Sequence, residues 1–119
     1  NLFGGGEVRR DRLRITELEI RSSELIRRQA QIKDQIKGEI WEILLGYEER
    51  DRRLSFLRRR LRSQEVVLQL QQIDYQYGGV NTSQMISAWD RHDSLSQKIS
   101  EIEQHQTQTK DNLLLLIGQ

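Results

Sequence analysis

The chain of 119 residues contains no cysteine and no proline. Without thiols there is no disulfide, no thiolate nucleophile and no cysteine-ligated zinc, which leaves the redox compartment open and permits a periplasmic one. Without proline, nothing in the chain removes a backbone N–H or forces a helix to break. Aromatic residues make up 6% and hydrophobic residues 35% of the sequence. That is too little to fill a compact multilayer globule, whereas helices touching along a narrow seam need far less. No apolar run approaches the roughly 20 residues of a membrane span; the best, Leu113 to Ile117, is five residues long. The formal net charge of +1 lacks the large basic excess of proteins that hold nucleic acid by bulk electrostatics. The N-terminus has no initiating methionine, no basic start and no apolar signal core, so the chain reads as a segment of something longer.

What remains is a sequence rich in Glu, Gln, Arg, Leu and Ile, good helix formers with no strand-type alternation. Glycine supplies the punctuation. Gly4-Gly5-Gly6 precedes a stretch without turn signals, and Gly78-Gly79 interrupts it. Asn81, Thr82 and Ser83 follow as candidate helix N-caps, and Gly118 stands where a helix C-terminus is expected. The expected fold is all-α: an antiparallel coiled-coil hairpin with a helix over 7–77, a tip turn at 78–81 and a shorter helix over 82–117. At 1.5 Å per residue these arms would be roughly 105 Å and roughly 50 Å long, so half of the first arm lacks a partner within the chain.

Ile40, Tyr47, Leu54, Leu61, Leu68 and Tyr75 recur every seven residues, a sustained coiled-coil register. Leu18, Leu25 and Ile32 keep the same spacing in a shifted register. On the second helix Met85, Trp89, Leu95, Ile99, Ile102, Leu113 and Leu116 form the expected seam, with His92, Gln106 and Thr109 at other seam positions.

Leu2-Phe3-Gly4-Gly5-Gly6 before a long helix, then Tyr75-Gln76-Tyr77-Gly78-Gly79, then a helix closing in Leu116-Ile117-Gly118 resembles a repeat of the TolC family of outer-membrane efflux proteins. In that family a Leu-Phe-Gly-Gly-like segment leads from a strand into a long helix. A Tyr-x-x-Gly turn marks the periplasmic tip, and a shorter helix closes in Leu-x-x-x-x-Gly. Each motif alone is weakly specific; their order and spacing across essentially the whole chain carry the likeness. The resemblance implies a periplasmic tunnel-wall hairpin of an efflux or type I secretion conduit in the cell envelope of a Gram-negative-type bacterium. It implies a trimer, a periplasmic adaptor, an inner-membrane pump, and contact with the membrane only through a barrel that this chain would not supply. Opening would come from helices sliding or untwisting against neighbours.

The implied adaptor-contact tip is Tyr77, Gly78, Gly79 and Val80, where the family carries Val-Gly-Leu or Val-Gly-Thr; Tyr for Val and Gly for the third residue depart from that element. Family members that narrow their entrance with carboxylates do so at positions matching Gln84 and Ser87. The anionic constriction is therefore not carried over, and Asp90, one turn on, is the candidate substitute.

Arg50, Arg52, Arg53, Arg58, Arg59, Arg60 and Arg62 invite a polyanion reading. Spread around a helix, interleaved with Glu48, Glu49 and Asp51 and with Phe56 the only aromatic platform, they read better as a solvated or inter-subunit salt-bridging face. Arg53-Leu54-Ser55 resembles a tip motif of adaptor proteins but lies mid-helix, where it reads as coincidence. His92 and His105 are thirteen residues apart and lack the close carboxylate or histidine company of a metal helix, so seam or lumen positions are expected of them. No nucleophile–base pair and no phosphate-cradling glycine loop is present, and neither catalysis nor a cofactor is expected. Gly38 and Gly46, inside the first helix, suggest a close helix approach, and Trp41 with Ile40, Ile43 and Leu44 a patch that meets a neighbour. The uncovered seam predicts self-association, most simply an antiparallel pair making a four-helix arrangement. The alternative to a conduit is a free-standing coiled-coil scaffold or oligomerisation module; an arginine-rich polyanion binder is a weaker third reading.

Overall fold

The structure, a computed structural model, describes residues 2–118, with side chains from residue 5 onward. Two helices account for it: α1, Leu2–Gln76, and α2, Thr82–Leu116, with no strand among the described residues. The fold is the expected all-α antiparallel coiled-coil hairpin with one long and one shorter arm. The chain divides into two units, Asn1–Glu39 and Ile40–Gln119.

In the first unit α1 begins at Leu2 rather than near Glu7, so the glycine run lies inside the helix instead of before it. Gly5 and Gly6 keep negative φ. A glycine ends a helix where its φ turns positive, and the long run of helix formers that follows propagates cheaply once nucleated. Asn1, and the side chains of Leu2 and Phe3 that begin the family-like motif, lie outside the described residues. Every side chain from Glu7 to Glu39 is exposed.

The second unit holds the hairpin. Residue numbers fall along α2 as they rise along α1: Tyr47 and Arg50 meet Gln106, Arg58 meets Glu103, Glu65 meets His92 and Tyr75 meets Thr82. The seam contains two apolar clusters. Leu68, Met85 and Ala88 form one near the turn, and Leu54, Leu57, Leu95 and Ile99 form the other, with Leu61 and Ile102 against it. Of the expected α1 row, Leu54 and Leu68 are buried and Ile40, Tyr47 and Leu61 half-buried. Tyr75 departs from that expectation: in the last turn of α1 it is exposed, and its hydroxyl pairs with Thr82 Oγ1 at 3.1 Å.

The α2 seam follows a strict three-four spacing through Met85, Ala88, His92, Leu95, Ile99, Ile102, Gln106, Thr109 and Leu113. Trp89 was expected in it but is 43% exposed, because it stands one residue, about 100° of helix, beyond the position that Ala88 fills. Leu116 keeps the register but is exposed at the helix end.

The turn is built at both ends. Gly78 has φ +79°, its N–H bonds to Tyr75 O, and the Gly79 N–H bonds to Asp74 O at 2.8 Å. This double closure is the Schellman motif, which satisfies the last carbonyls of α1 and needs a left-handed residue at Gly78. Asn81 then opens α2 with a capping box: its side chain accepts from the Gln84 N–H at 2.8 Å, and the Gln84 side chain accepts from the Asn81 N–H at 3.0 Å. At the far end Gly118, φ +81°, donates to Leu115 O.

Candidate functional site

At the tip the aromatic ring of Tyr77 is largely free of the hairpin. Tyr77 is 85% exposed, Gly78 and Gly79 are exposed, and Val80 is half-buried. Because the turn is closed on one side by backbone bonds and on the other by the capping box, the Tyr77 ring is presented on a fixed base. A partner meeting it would pay little ordering entropy in the backbone.

Gln84, Ser87 and Asp90 are all exposed. Gln84 is committed to the capping box, so it serves the turn before anything else. Gln84 and Ser87 line a shallow groove with Val80 and Arg91. Asp90 lies in a neighbouring open groove among Arg60, Arg91 and Lys98. Three basic residues thus share the groove that holds Asp90.

Arg50 also differs from its expected place. Read as one of a solvated arginine cluster, it is instead half-buried in the hairpin interface. Its Nε donates to Gln106 Oε1 at 2.7 Å and its Nη2 to Thr109 Oγ1 at 3.2 Å. Gln106 Nε2 donates to the Tyr47 carbonyl at 2.8 Å, and Thr109 Oγ1 also bonds to the His105 carbonyl at 2.8 Å. Gln106 is 6% exposed, so this is a satisfied polar layer within the core. The signal for it was present: Ile43, Arg50, Leu57, Gln64 and Gln71 also recur every seven residues, a second heptad row disguised by its polar members. Arg52 and Arg58 do behave as expected, pairing with Glu48 and Glu103 at exposed sites where such pairs contribute little.

Gly46 belongs to the same layer. A Cβ there would come within 3.1 Å of Arg50 Nη1, so the glycine makes room for the guanidinium of its own helix rather than for a facing helix. Gly38 has open space around it, with no facing helix of its own chain. Trp41, Leu44 and Leu45 are exposed, an apolar patch on α1.

His92 occupies a second polar seam position. Its Nε2 lies 3.3 Å from Glu65 Oε1, and its ring meets Trp89 edge-on. Nδ1 is buried without a hydrogen-bond partner, 3.6 Å from Asp93 Oδ1. His105 Nδ1 contacts Thr109 Oγ1 at 3.1 Å. The two histidines are not brought together, and no group of three potential metal ligands occurs among the described residues. No helix among them is long and apolar enough to cross a membrane. Comparison with protein-family models, with curated proteins and with solved structures gives no match.

Proposed function

We propose that the chain is a structural transport element, the periplasmic tunnel-wall hairpin of a conduit similar to the TolC-type outer-membrane efflux proteins. The observation that supports this is the tip: unequal helices joined by a Tyr-Gly-Gly turn, capped on both sides, with Tyr77 standing free of the hairpin. In this reading Tyr77, Gly78, Gly79 and Val80 meet a periplasmic adaptor that links the conduit to an inner-membrane pump. The hairpin is wall and docking point; nothing is transformed chemically. The test is thiol crosslinking in a periplasm that contains the adaptor. Tyr77→Cys should join a cysteine at the adaptor tip, while Gln104→Cys, exposed on α2 away from the turn, should not. Equal yields at both positions, or none at Tyr77→Cys, would remove the reading.

A second reading, a free-standing coiled-coil scaffold or oligomerisation module with no transport role, is favoured by a different observation. Val8, Ile15, Leu18, Leu25, Ile32 and Ile36 leave a heptad-spaced apolar face entirely exposed. A lone helix of this kind has no packing to hold it, so its face calls for a partner helix.

A further inference from the structure

From Val8 to Ile36 the apolar residues Val8, Ile15, Leu18, Leu25, Ile32 and Ile36 fit one heptad, interrupted by Asp11, Ser22 and Gln29: Val8, Ile15, Ser22, Gln29 and Ile36 are a positions; Asp11, Leu18, Leu25 and Ile32 are d positions. The helix is continuous through all of them and each is exposed. Two independent features of this face point to the same occupant. The first is shape: β-branched residues at a with leucine at d favour two parallel strands over three or four. Val8, Ile15 and Ile36 supply the former and Leu18 and Leu25 the latter, against Ile32 as the one β-branched d residue and Asp11 as a charged one.

The second feature is charge. The g positions are Glu7, Arg14, Arg21 and Arg28, and the e positions are Arg12, Glu19, Ile26 and Lys33. In a parallel pair each g residue faces the e residue five positions on in the other copy. Glu7 then meets Arg12 and Arg14 meets Glu19, while Arg28 against Lys33 and, at the axis, Asp11 against its own counterpart are repulsive. In an antiparallel pair g faces g, and the row Arg14, Arg21, Arg28 is set against itself.

We infer that the segment 8–36 is an interaction surface for a second copy of this chain, paired in parallel and in register. This revises the antiparallel pair expected from the sequence, and it deepens the oligomerisation reading rather than the conduit one. Ser22 and Gln29 meet their own counterparts at the axis, where polar a residues select register and strand number at some expense of stability.

The test uses the full chain, which contains no cysteine of its own. Ser22→Cys places thiols face to face only in a parallel, in-register pair; Ser23→Cys, at an outward b position, is the control. Under mild oxidation the first should give a covalent dimer and the second should not. Sedimentation equilibrium of the unmodified chain should give a dimer. Arg14→Glu should raise its dissociation constant about tenfold by turning the Arg14–Glu19 pairings repulsive, and the added swap Glu19→Arg should restore it. A dimer in which Ser22→Cys fails to crosslink would overturn the parallel arrangement while leaving the oligomerisation reading in place. A monomer or a three-stranded species would overturn the inference outright.

Discussion

Replacing Arg50 tests whether the polar layer acts as one unit. Arg50→Met removes both donors from α1 and strands Gln106 Oε1, on a residue only 6% exposed, without its 2.7 Å partner. Hydrogen bonds to charged groups contribute about 1.5–3 kcal/mol net, and a stranded buried acceptor sits at the upper end, so a loss of about 2–3 kcal/mol is expected. Thr109 is less affected, since its hydroxyl keeps the His105 carbonyl. Gln106→Leu leaves Arg50, which is only half-buried and can turn part of its guanidinium to water; about 1–2 kcal/mol is expected. In the double variant no polar group remains to be stranded, and a Met–Leu pair extends the apolar cluster of Leu54, Leu57 and Leu95. Such replacements are often neutral. The double variant should therefore lie within about 1 kcal/mol of the parent, giving a coupling of roughly 3–4 kcal/mol. Urea unfolding of all four proteins, at one protein concentration so that association does not enter, measures it. Additivity within about 0.5 kcal/mol would refute the claim that these residues form a coupled layer.

Three further outcomes follow from local geometry. Gly78→Ala forces an alanine to φ +79° and should destabilise the hairpin by about 1–2 kcal/mol, whereas Gly79→Ala, whose Cβ would meet only Asp74 at ordinary contact distance, should be close to neutral; equal unfolding midpoints would refute the Schellman turn. Gly38→Ala, in open space within a helix, should stabilise by up to about 1 kcal/mol, and Gly46→Ala should gain less because its Cβ crowds Arg50; thermal melts showing the larger gain at Gly46 would contradict the placement of that guanidinium. His92→Leu removes the buried Nδ1 that lacks a partner and should raise stability by about 1 kcal/mol in the same urea assay, with a loss of stability meaning that Nδ1 is in fact satisfied.

The hairpin was legible because its signals are local. The glycines at 78 and 118, the Asn81 cap and the apolar heptads each dictate backbone conformation within a few residues, and they lie where helices end or pair. The errors arose where a side chain's role depends on what faces it. Trp89 looked like a core residue by its chemistry, but the helical phase set by Met85, His92 and Ile99 gives the seam to the smaller Ala88. Arg50 looked like surface by its charge, and only the facing Gln106 and Thr109 show why the seam accepts it. The glycines at 4–6 looked like a break, yet a helix former on every following turn outweighs three residues of poor propensity.

The alternation of apolar and polar layers also bears on how such a hairpin can move. A uniformly apolar seam can slip by one heptad at little cost, because leucine replaces isoleucine across the interface. Here a slip of α2 by seven residues replaces Gln106 and Thr109 opposite Arg50 with Ile99 and Ile102 in one direction, or with Leu113 and Leu116 in the other. Either leaves a guanidinium facing hydrocarbon with its donors unpaired, and buries Gln106 where nothing answers it. Stranding the buried Gln106 at about 2–3 kcal/mol and unpairing the half-buried Arg50 at about 1–2 kcal/mol together cost more than an exposed surface pair such as Arg58–Glu103 can return. Register inside the hairpin is therefore locked. In the conduit reading, opening then cannot come from α2 sliding along α1. It has to come from the hairpin moving as one body against its neighbours, with the tip turn carried along rather than reshaped.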